Sequence, residues 1–140
     1  MYQKVELIML RPCGDHRGKL LPIEGGRSIP FDIKRVYYMY DVPDGESRGK
    51  HAHIDLRQIL ICTSGSCLVN CDFGDGRPVE TYRLDCPEKG LLIEGLVWRE
   101  MTEWSPGTVL LVLADEHFDE AGPKEIRDYD QFKSRVTLEM

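Results

Sequence analysis

Two histidines beside an apolar run constrain this chain more than any other feature of its sequence. His51 and His53 are separated by one residue and lie just before residues 56–62, whose apolar and β-branched content predicts a buried strand. On an extended backbone, residues two apart point to the same side, so both imidazoles can project into one cavity. Gln58 follows His53 after four residues, and Gly65 follows Gln58 after six more.

Short apolar runs recur along the chain at near-regular intervals, with Gly and Pro between them. Besides 56–62, they cover residues 5–10, 19–24, 34–40, 67–73, 79–84, 91–93, 97–101 and 108–114. This spacing predicts an all-β protein of the jelly-roll class. Only residues 128–136 have helical character, with Asp128 as a candidate N-cap. A length of 140 residues predicts one domain spanning 1–140.

The composition argues against several classes of function. A net charge of -6 disfavours nucleic acid and anionic membranes as partners, although a nucleotide ligand needs only a local cluster of donors. No apolar run approaches the roughly 20 residues of a membrane span, and the N-terminus lacks the apolar core of a signal peptide. The five cysteines include no Cys-x-x-Cys pair, which predicts reduced, mostly buried thiols and a cytoplasmic location.

The spacing of the two histidines, Gln58 and Gly65 resembles the first metal-binding motif of the cupins. Metal-binding cupins carry glutamate where this chain has Gln58. A second cupin motif supplies a third histidine, and the matching stretch here, 93–99, has Trp98 or Arg99 at that place. Arginine cannot deprotonate to bind a metal, and its charge opposes a divalent ion. We therefore expect no metal and no other cofactor.

The residues around the histidines favour acid–base chemistry. Histidine is the side chain best matched to proton transfer near neutral pH. Tyr37, in the run 34–40, could relay a proton between oxygens, and Arg48 could stabilise an oxyanion. Together they indicate removal of a proton next to a carbonyl and its return elsewhere. Considered alone, Tyr37 could equally be an aromatic residue packed in the core. Arg35 could equally be a solvated residue at the end of a strand.

Most of the chain resembles the dTDP-sugar 3,4-ketoisomerases, small cupins of deoxysugar biosynthesis. The likeness is carried by Asp15-His16-Arg17-Gly18, Ile29-Pro30-Phe31, Ile33-Lys34-Arg35-Val36-Tyr37-Tyr38, Arg48-Gly49-Lys50-His51-Ala52-His53, Gly65-Ser66-Cys67, Gly95-Leu96-Val97-Trp98 and Tyr129-Asp130-Gln131-Phe132. The resemblance implies a metal-free cupin jelly roll that forms a homodimer by exchanging N-terminal strands. It also implies movement of the carbonyl of dTDP-4-keto-6-deoxyglucose from C4 to C3 through an enediol.

The same resemblance assigns candidate roles to individual residues. It makes His51 the essential base, with His53 and Tyr37 as its companions. The candidate substrate-binding residues are Arg17, Arg35, Arg48, Lys50 and Arg99. Many relatives have Trp-His where this chain has Trp98-Arg99, which leaves the gluco or galacto configuration at C4 of the product open. We expect Arg99 to face the cavity. A sugar-nucleotide epimerase of the same fold and a non-catalytic sugar-nucleotide-binding module remain as alternatives.

Overall fold

The computed structural model of the protein describes residues 2–118 and 124–140. The described strands form two five-stranded sheets and a separate hairpin, followed by one C-terminal helix. The strands are β1 (Gln3–Met9), β2 (Cys13–Asp15), β3 (Gly18–Leu20), β4 (Arg35–Met39), β5 (Arg48–His53), β6 (Arg57–Ser64), β7 (Cys67–Asp72), β8 (Glu80–Leu84), β9 (Lys89–Gly95), β10 (Trp98–Thr102), β11 (Val109–Ala114) and β12 (Glu125–Ile126), and the helix is α1 (Tyr129–Glu139). No helix within the described ranges is long and apolar enough to cross a membrane.

The order of the strands within the two sheets is that of a jelly roll. The first sheet runs β1-β9-β6-β11-β4 and the second runs β12-β5-β10-β7-β8, with every neighbouring pair antiparallel. Successive strands therefore pass back and forth between the sheets instead of pairing in sequence order. The prediction of an all-β cupin jelly roll with a short C-terminal helix is confirmed.

The main core lies between the two sheets. Along β7, every second residue is fully buried, as an amphipathic strand requires, and these residues are Cys67, Val69 and Cys71. They pack with Leu60 and Leu110 from the facing sheet. All five cysteines are free thiols, as the sequence predicted.

A second apolar cluster covers the outer face of the first sheet. Residues Leu10, Ile29 and Phe31 pack there against Ile59 and Ile61 of β6. Because both faces of β6 are covered, its sequence is a continuous apolar run without alternation.

The predicted run 19–24 is a strand only at its beginning. β3 ends at Leu20, and Pro22, which has no N–H to donate, follows two residues later. Leu21 and Ile23 pack against the second apolar cluster without forming a strand.

The two ends of the chain are both attached to this framework. β1 pairs with β9 of the same chain, from Gln3 opposite Gly95 to Met9 opposite Lys89. The helix begins where the sequence predicted, because the Asp128 carboxylate accepts a hydrogen bond of 3.0 Å from the Gln131 N–H. It extends to Glu139, three residues beyond the predicted end.

Candidate active site

A cavity between the two sheets brings together most of the residues that the sequence singled out. It has two adjoining parts, of about 760 and 600 Å³, which share Arg35, Tyr37 and His51 in their walls. The larger part extends past His53, and the smaller extends to Gln58. On β4, the alternation predicted from the sequence is confirmed: Arg35, Tyr37 and Met39 face inward, whereas Val36 and Tyr38 are exposed.

A bulge in β5 places Arg48 in the same cavity as the histidines. His51 pairs with Arg99 and Gly49 pairs with Glu100, so Lys50 is an extra residue with a left-handed φ of 56°. This extra residue shifts the alternation of the strand by one position. Without the bulge, Arg48 and His51, three residues apart, would lie on opposite faces. A side chain at Gly49 (φ 90°) would approach the Arg99 carbonyl oxygen to 3.0 Å.

The two histidines lie edge to face at the bottom of the larger part. Their ring centroids are 4.7 Å apart and the rings are nearly perpendicular, at 80°. His51 Nδ1 lies 3.5 Å from Oε1 of Glu125, which β12 brings next to β5. His53 Nε2 is buried and has no hydrogen-bond partner among the residues described.

The histidines are held in the neutral form. Burial, followed by the charge of Arg99, lowers the pKa of His51, although Glu125 acts in the opposite direction. Burial and the same arginine lower the pKa of His53 to about 2. Both imidazoles are therefore available at neutral pH to accept a proton or to hydrogen-bond a ligand oxygen.

The smaller part ends in a chain of three buried or half-buried side chains. Arg99, only 1% exposed, donates from Nη1 to Gln58 Oε1 at 2.6 Å, and from Nε and Nη2 to the Val97 carbonyl oxygen at 3.2 and 2.9 Å. Gln58 Nε2 in turn donates to the Tyr37 hydroxyl at 3.1 Å. Burial lowers the pKa of Arg99 to about 10, so the guanidinium stays charged at neutral pH. Arg99 lies in the wall of the smaller part, on the side that we predicted, but its guanidinium is enclosed by these partners.

Cationic side chains surround the cavity and form what we call the basic rim: Arg35, Arg48, Lys50, Lys124 and Arg127. Lys124 lies 3.7 Å from Glu116, and Arg127 lies 3.2 Å from Glu125. The other three make no ion pair in the described part of the chain. The Arg35 guanidinium lies 4.5 Å from the centroid of the Tyr37 ring and packs over its face.

Arg17 is the one predicted site residue that this cavity does not contain. It lies in the exposed turn between β2 and β3 and forms a 2.8 Å ion pair with Asp15 of its own hairpin. Arg17 therefore does not line the cavity of its own chain, and its place in a pocket wall stays a prediction. The hairpin pairs only with itself, so it extends away from both sheets.

Sequence reasoning missed Glu125 and Arg127. Glu125 belongs to β12, a strand of two residues, which is too short to show alternation. The pairing of Glu125 with His53 joins positions far apart in the sequence, so no local pattern marks it.

Three side chains in the described part of the chain could bind a metal ion together. The ligand atoms of His51, His53 and Glu125 all lie within 4.8 Å of one another, and two histidines with one carboxylate are a known zinc-binding set. However, the Arg99 charge that lowers the pKa of both histidines would also repel a divalent ion. The Gln58 oxygen, at the place of the glutamate ligand in metal-binding cupins, accepts a hydrogen bond from Arg99. The residues present therefore fit a metal-free site better.

The fold is that of a cupin, and the site contains side chains suited to acid–base chemistry. Comparison with known proteins shows to which family the chain belongs. The family described as "FdtA: WxcM-like, C-terminal" matches residues 3–137. The chain belongs to this family. A TDP-4-oxo-6-deoxy-alpha-D-glucose-3,4-oxoisomerase from Aneurinibacillus thermoaerophilus is 45% identical over 131 residues, which cover 94% of this chain and 91% of that protein.

Solved structures of 3,4-ketoisomerases are also similar to this chain. A variant of QdtA from Thermoanaerobacterium thermosaccharolyticum, in complex with TDP-4-keto-6-deoxyglucose, is 42% identical with a TM-score of 0.89, over 96% of this chain and 94% of that chain. WlaRB, a TDP-quinovose 3,4-ketoisomerase from Campylobacter jejuni, is also 42% identical, with a TM-score of 0.85 over 93% of this chain and 97% of that chain.

Proposed function

We propose that this protein is a dTDP-4-keto-6-deoxyglucose 3,4-ketoisomerase, which moves the carbonyl from C4 to C3 in the biosynthesis of a deoxysugar. The observation that carries the proposal is a pair of neutral histidines that share one cavity with Tyr37, surrounded by a basic rim. The named relatives act on nucleotide-linked keto sugars of this kind.

The basic rim suits the diphosphate of the nucleotide. Arg35, Arg48 and Lys50 make no ion pair among the described residues, so their donors are available to phosphate oxygens. Hydrogen bonds from cations to phosphate are among the stronger ones in proteins. With the diphosphate at the rim, the sugar would extend toward the histidines.

The reaction needs only a base and an oxygen-directed acid. His51 takes the proton from C3, a double bond forms between C3 and C4, and the C4 carbonyl oxygen receives a proton to give the enediol. The C3 hydroxyl then gives up its proton, the carbonyl forms at C3, and protonated His51 delivers a proton to C4. The net change is an internal redistribution of two hydrogens, so no external oxidant or reductant is required.

Each step has a suitable group nearby. The Glu125 carboxylate faces His51 Nδ1 and favours a proton there, which leaves Nε2 free to act as the base. His53 Nε2 has no partner among the described residues and is placed to hydrogen-bond a sugar oxygen. Tyr37 supplies a hydroxyl that can pass a proton between the oxygens on C3 and C4.

Nuclear magnetic resonance of the keto sugar in deuterated water tests this proposal. An isomerase produces a 3-keto sugar that carries deuterium at C4. An epimerase would keep the carbonyl at C4 and exchange the hydrogen at C3, and a binding module would change neither. Either of the last two outcomes would overturn the proposal. In ordinary water, where C4 keeps a protium, the H4–H5 coupling constant of the product also gives its gluco or galacto configuration. Arg99, in place of the histidine of many relatives, would influence that configuration through the face of C4 that is protonated.

We further propose that the protein is a cytoplasmic homodimer in which the N-terminal strands are exchanged. Three observations support exchange: β1 is at an edge of its sheet, Leu7 and Met9 on it are exposed, and the hairpin that follows is exposed throughout. β1 of each subunit would take the same place on β9 of the partner. The hairpin could then bring Arg17 to the other subunit's cavity.

Mixed dimers test this arrangement. If Arg17 acts across the dimer, coexpressed Arg17→Ala and His51→Asn chains form a mixed dimer with one intact cavity, and activity reappears. If Arg17 acts within its own chain, no cavity is intact and the mixture stays inactive. Deletion of residues 1–10 should also dissociate or aggregate the protein in sedimentation experiments, and a stable active monomer would contradict the exchange.

A further inference from the structure

We propose that Gln58 is a positioning residue that keeps the Tyr37 hydroxyl proton directed into the cavity. The inference rests on the proposed isomerase function, in which Tyr37 exchanges protons with the sugar oxygens. Gln58 itself is 2% exposed and lies behind Tyr37, so it acts through the tyrosine and not on the substrate.

The orientation of the Gln58 amide follows from its neighbour. Arg99 can only donate hydrogen bonds, so the side-chain atom of Gln58 that lies 2.6 Å from Arg99 Nη1 must be the oxygen. Arg99 is held in place by two further hydrogen bonds, both to the Val97 carbonyl oxygen. The NH₂ group of Gln58 is therefore the part that faces Tyr37, at 3.1 Å.

This orientation determines which way the tyrosine proton points. A phenol has one proton to donate, and its oxygen can also accept. Since the Tyr37 oxygen accepts from Gln58, its own proton must be directed elsewhere. The hydroxyl makes no other hydrogen bond within the described ranges, so its proton is available to a ligand in the cavity. Arg35, packed over the ring, limits the movement of the phenol.

Glutamate at position 58 would have the opposite effect. An ionised carboxylate only accepts, so it would draw the Tyr37 proton away from the cavity while still pairing with Arg99. The two side chains have nearly the same shape, so the difference lies in hydrogen-bond polarity and charge. We infer that the amide, in a motif that otherwise resembles a metal site, sets the direction of proton transfer.

A double-mutant cycle provides the kinetic test. Gln58→Glu should lower kcat by about 10- to 100-fold, less than the roughly 10²–10⁴-fold contribution of an acid–base group because the Tyr37 hydroxyl itself remains, and leave KM within about twofold. The same change in a Tyr37→Phe background should cost less than about threefold, because the hydroxyl through which it acts is gone. A chelator is present throughout, because the new carboxylate would restore a cupin metal ligand. Gln131→Glu, the same substitution at an exposed helix position, is the matched control and should leave both constants unchanged.

Equal losses in both backgrounds, or no loss in the wild-type background, would overturn the inference. A second measurement does not depend on turnover. The chain has three glutamines, so their side-chain amide resonances can be assigned with ¹⁵N-glutamine labelling. Tyr37→Phe should shift one NH₂ proton of Gln58 and leave Gln3 and Gln131 unchanged, and an unshifted Gln58 would refute the contact. If the wild type moves no carbonyl, the proposed function fails, while the spectrum still decides the role of Gln58.

Discussion

The inner end of the cavity and its basic rim are built in opposite ways. At the inner end, Arg99, Gln58 and Tyr37 are bonded to one another and Arg99 is completely enclosed. At the rim, Arg48 and Lys50 are exposed, and neither is bonded to another described side chain. The inner end thus has fixed geometry and a cation held by uncharged hydrogen-bond acceptors, whereas the rim has exposed cations and little fixed geometry.

From this difference we infer that the inner end contributes mainly to catalysis and the basic rim mainly to substrate binding. A preorganised group can favour a transition state, because no reorganisation is needed when charge develops. Long exposed cations attract an anion but contribute little to orientation. We therefore expect substitutions at the inner end and at the histidines to change kcat, and substitutions at the rim to change KM. The predictions below test that separation, starting with the largest effect.

His51→Asn should reduce turnover by about 10²–10⁴-fold, the usual cost of losing a general base. Because the imidazole acts on the sugar and not on the nucleotide, the Kd for dTDP should stay within about threefold in calorimetry. His16→Asn, at an exposed position of the β2–β3 turn, is the matched control and should change neither value. Wild-type turnover in His51→Asn would contradict the assignment and make His53 the next candidate.

Arg35→Ala should raise KM by about 10- to 100-fold, which corresponds to the 1.5–3 kcal/mol of a hydrogen bond to a charged group. The rise should shrink at high ionic strength, because added salt screens exposed charges. Arg35→Lys keeps the positive charge but loses the planar stacking on the Tyr37 ring. Comparison of Arg35→Lys with Arg35→Ala therefore separates the effect of the charge on substrate binding from the effect of the stacking on Tyr37. Arg77→Ala, which removes an exposed arginine paired with Asp75, is the control. A loss confined to kcat would show that Arg35 belongs with the inner end.

The sequence predicted the inner end better than the rim, for a physical reason. Side chains alternate between the two faces of any regular strand. This alternation predicts that Tyr37 of β4 faces inward, and it also predicts that His51 and His53 lie on one face. The place of Arg48 depends on the bulge at Lys50, which breaks that repeat and leaves no clear mark in the sequence. The resemblance included Arg48, but the repeat alone would have excluded it.

Residues that reach the cavity through long-range pairing were beyond sequence reasoning. Glu125 is brought in by a two-residue strand, and only the paired backbone of β5 determines its place. For Arg17 the single chain gives no test: the prediction placed it in a pocket wall, and in one chain its hairpin is exposed, so its place depends on the proposed partner subunit. A motif identifies residues that act together, but it does not say which subunit supplies them.

The stability of the protein should depend on pH through the buried histidines. The folded-state pKa of His53 is about 2, below its ordinary value of 6.5. Below pH 6.5, His53 is therefore protonated in the unfolded chain but stays neutral in the folded chain. Stability is therefore present above pH 6.5 and falls as the pH drops below it, by at most about 1.4 kcal/mol per pH unit for each such proton. The free energy of unfolding can be measured in urea at pH 7.5 and at pH 5.5. The decrease between these two pH values should be smaller for His53→Asn than for the wild type. His16→Asn, which removes an exposed histidine, should lose as much as the wild type, and an equal loss in His53→Asn would contradict the prediction.

The smallest effect should come from removing metal ions. Gln58 stands where a metal-binding cupin has glutamate, and it accepts a hydrogen bond from Arg99, so the inner end of the cavity already holds a fixed cation. Exhaustive chelation should change kcat by less than about twofold, a difference below 1 kcal/mol. Added Zn²⁺, Mn²⁺ or Fe²⁺ should not increase it. The control is Gln58→Glu, which places a carboxylate in the cavity that His51 and Glu125 also line and should bind Zn²⁺ more tightly than the wild type in calorimetry. Loss of wild-type activity on chelation, with recovery on adding one metal, would contradict this prediction. It would show that His51, His53 and Glu125 bind an ion despite the charge of Arg99, and that this ion also contributes to catalysis.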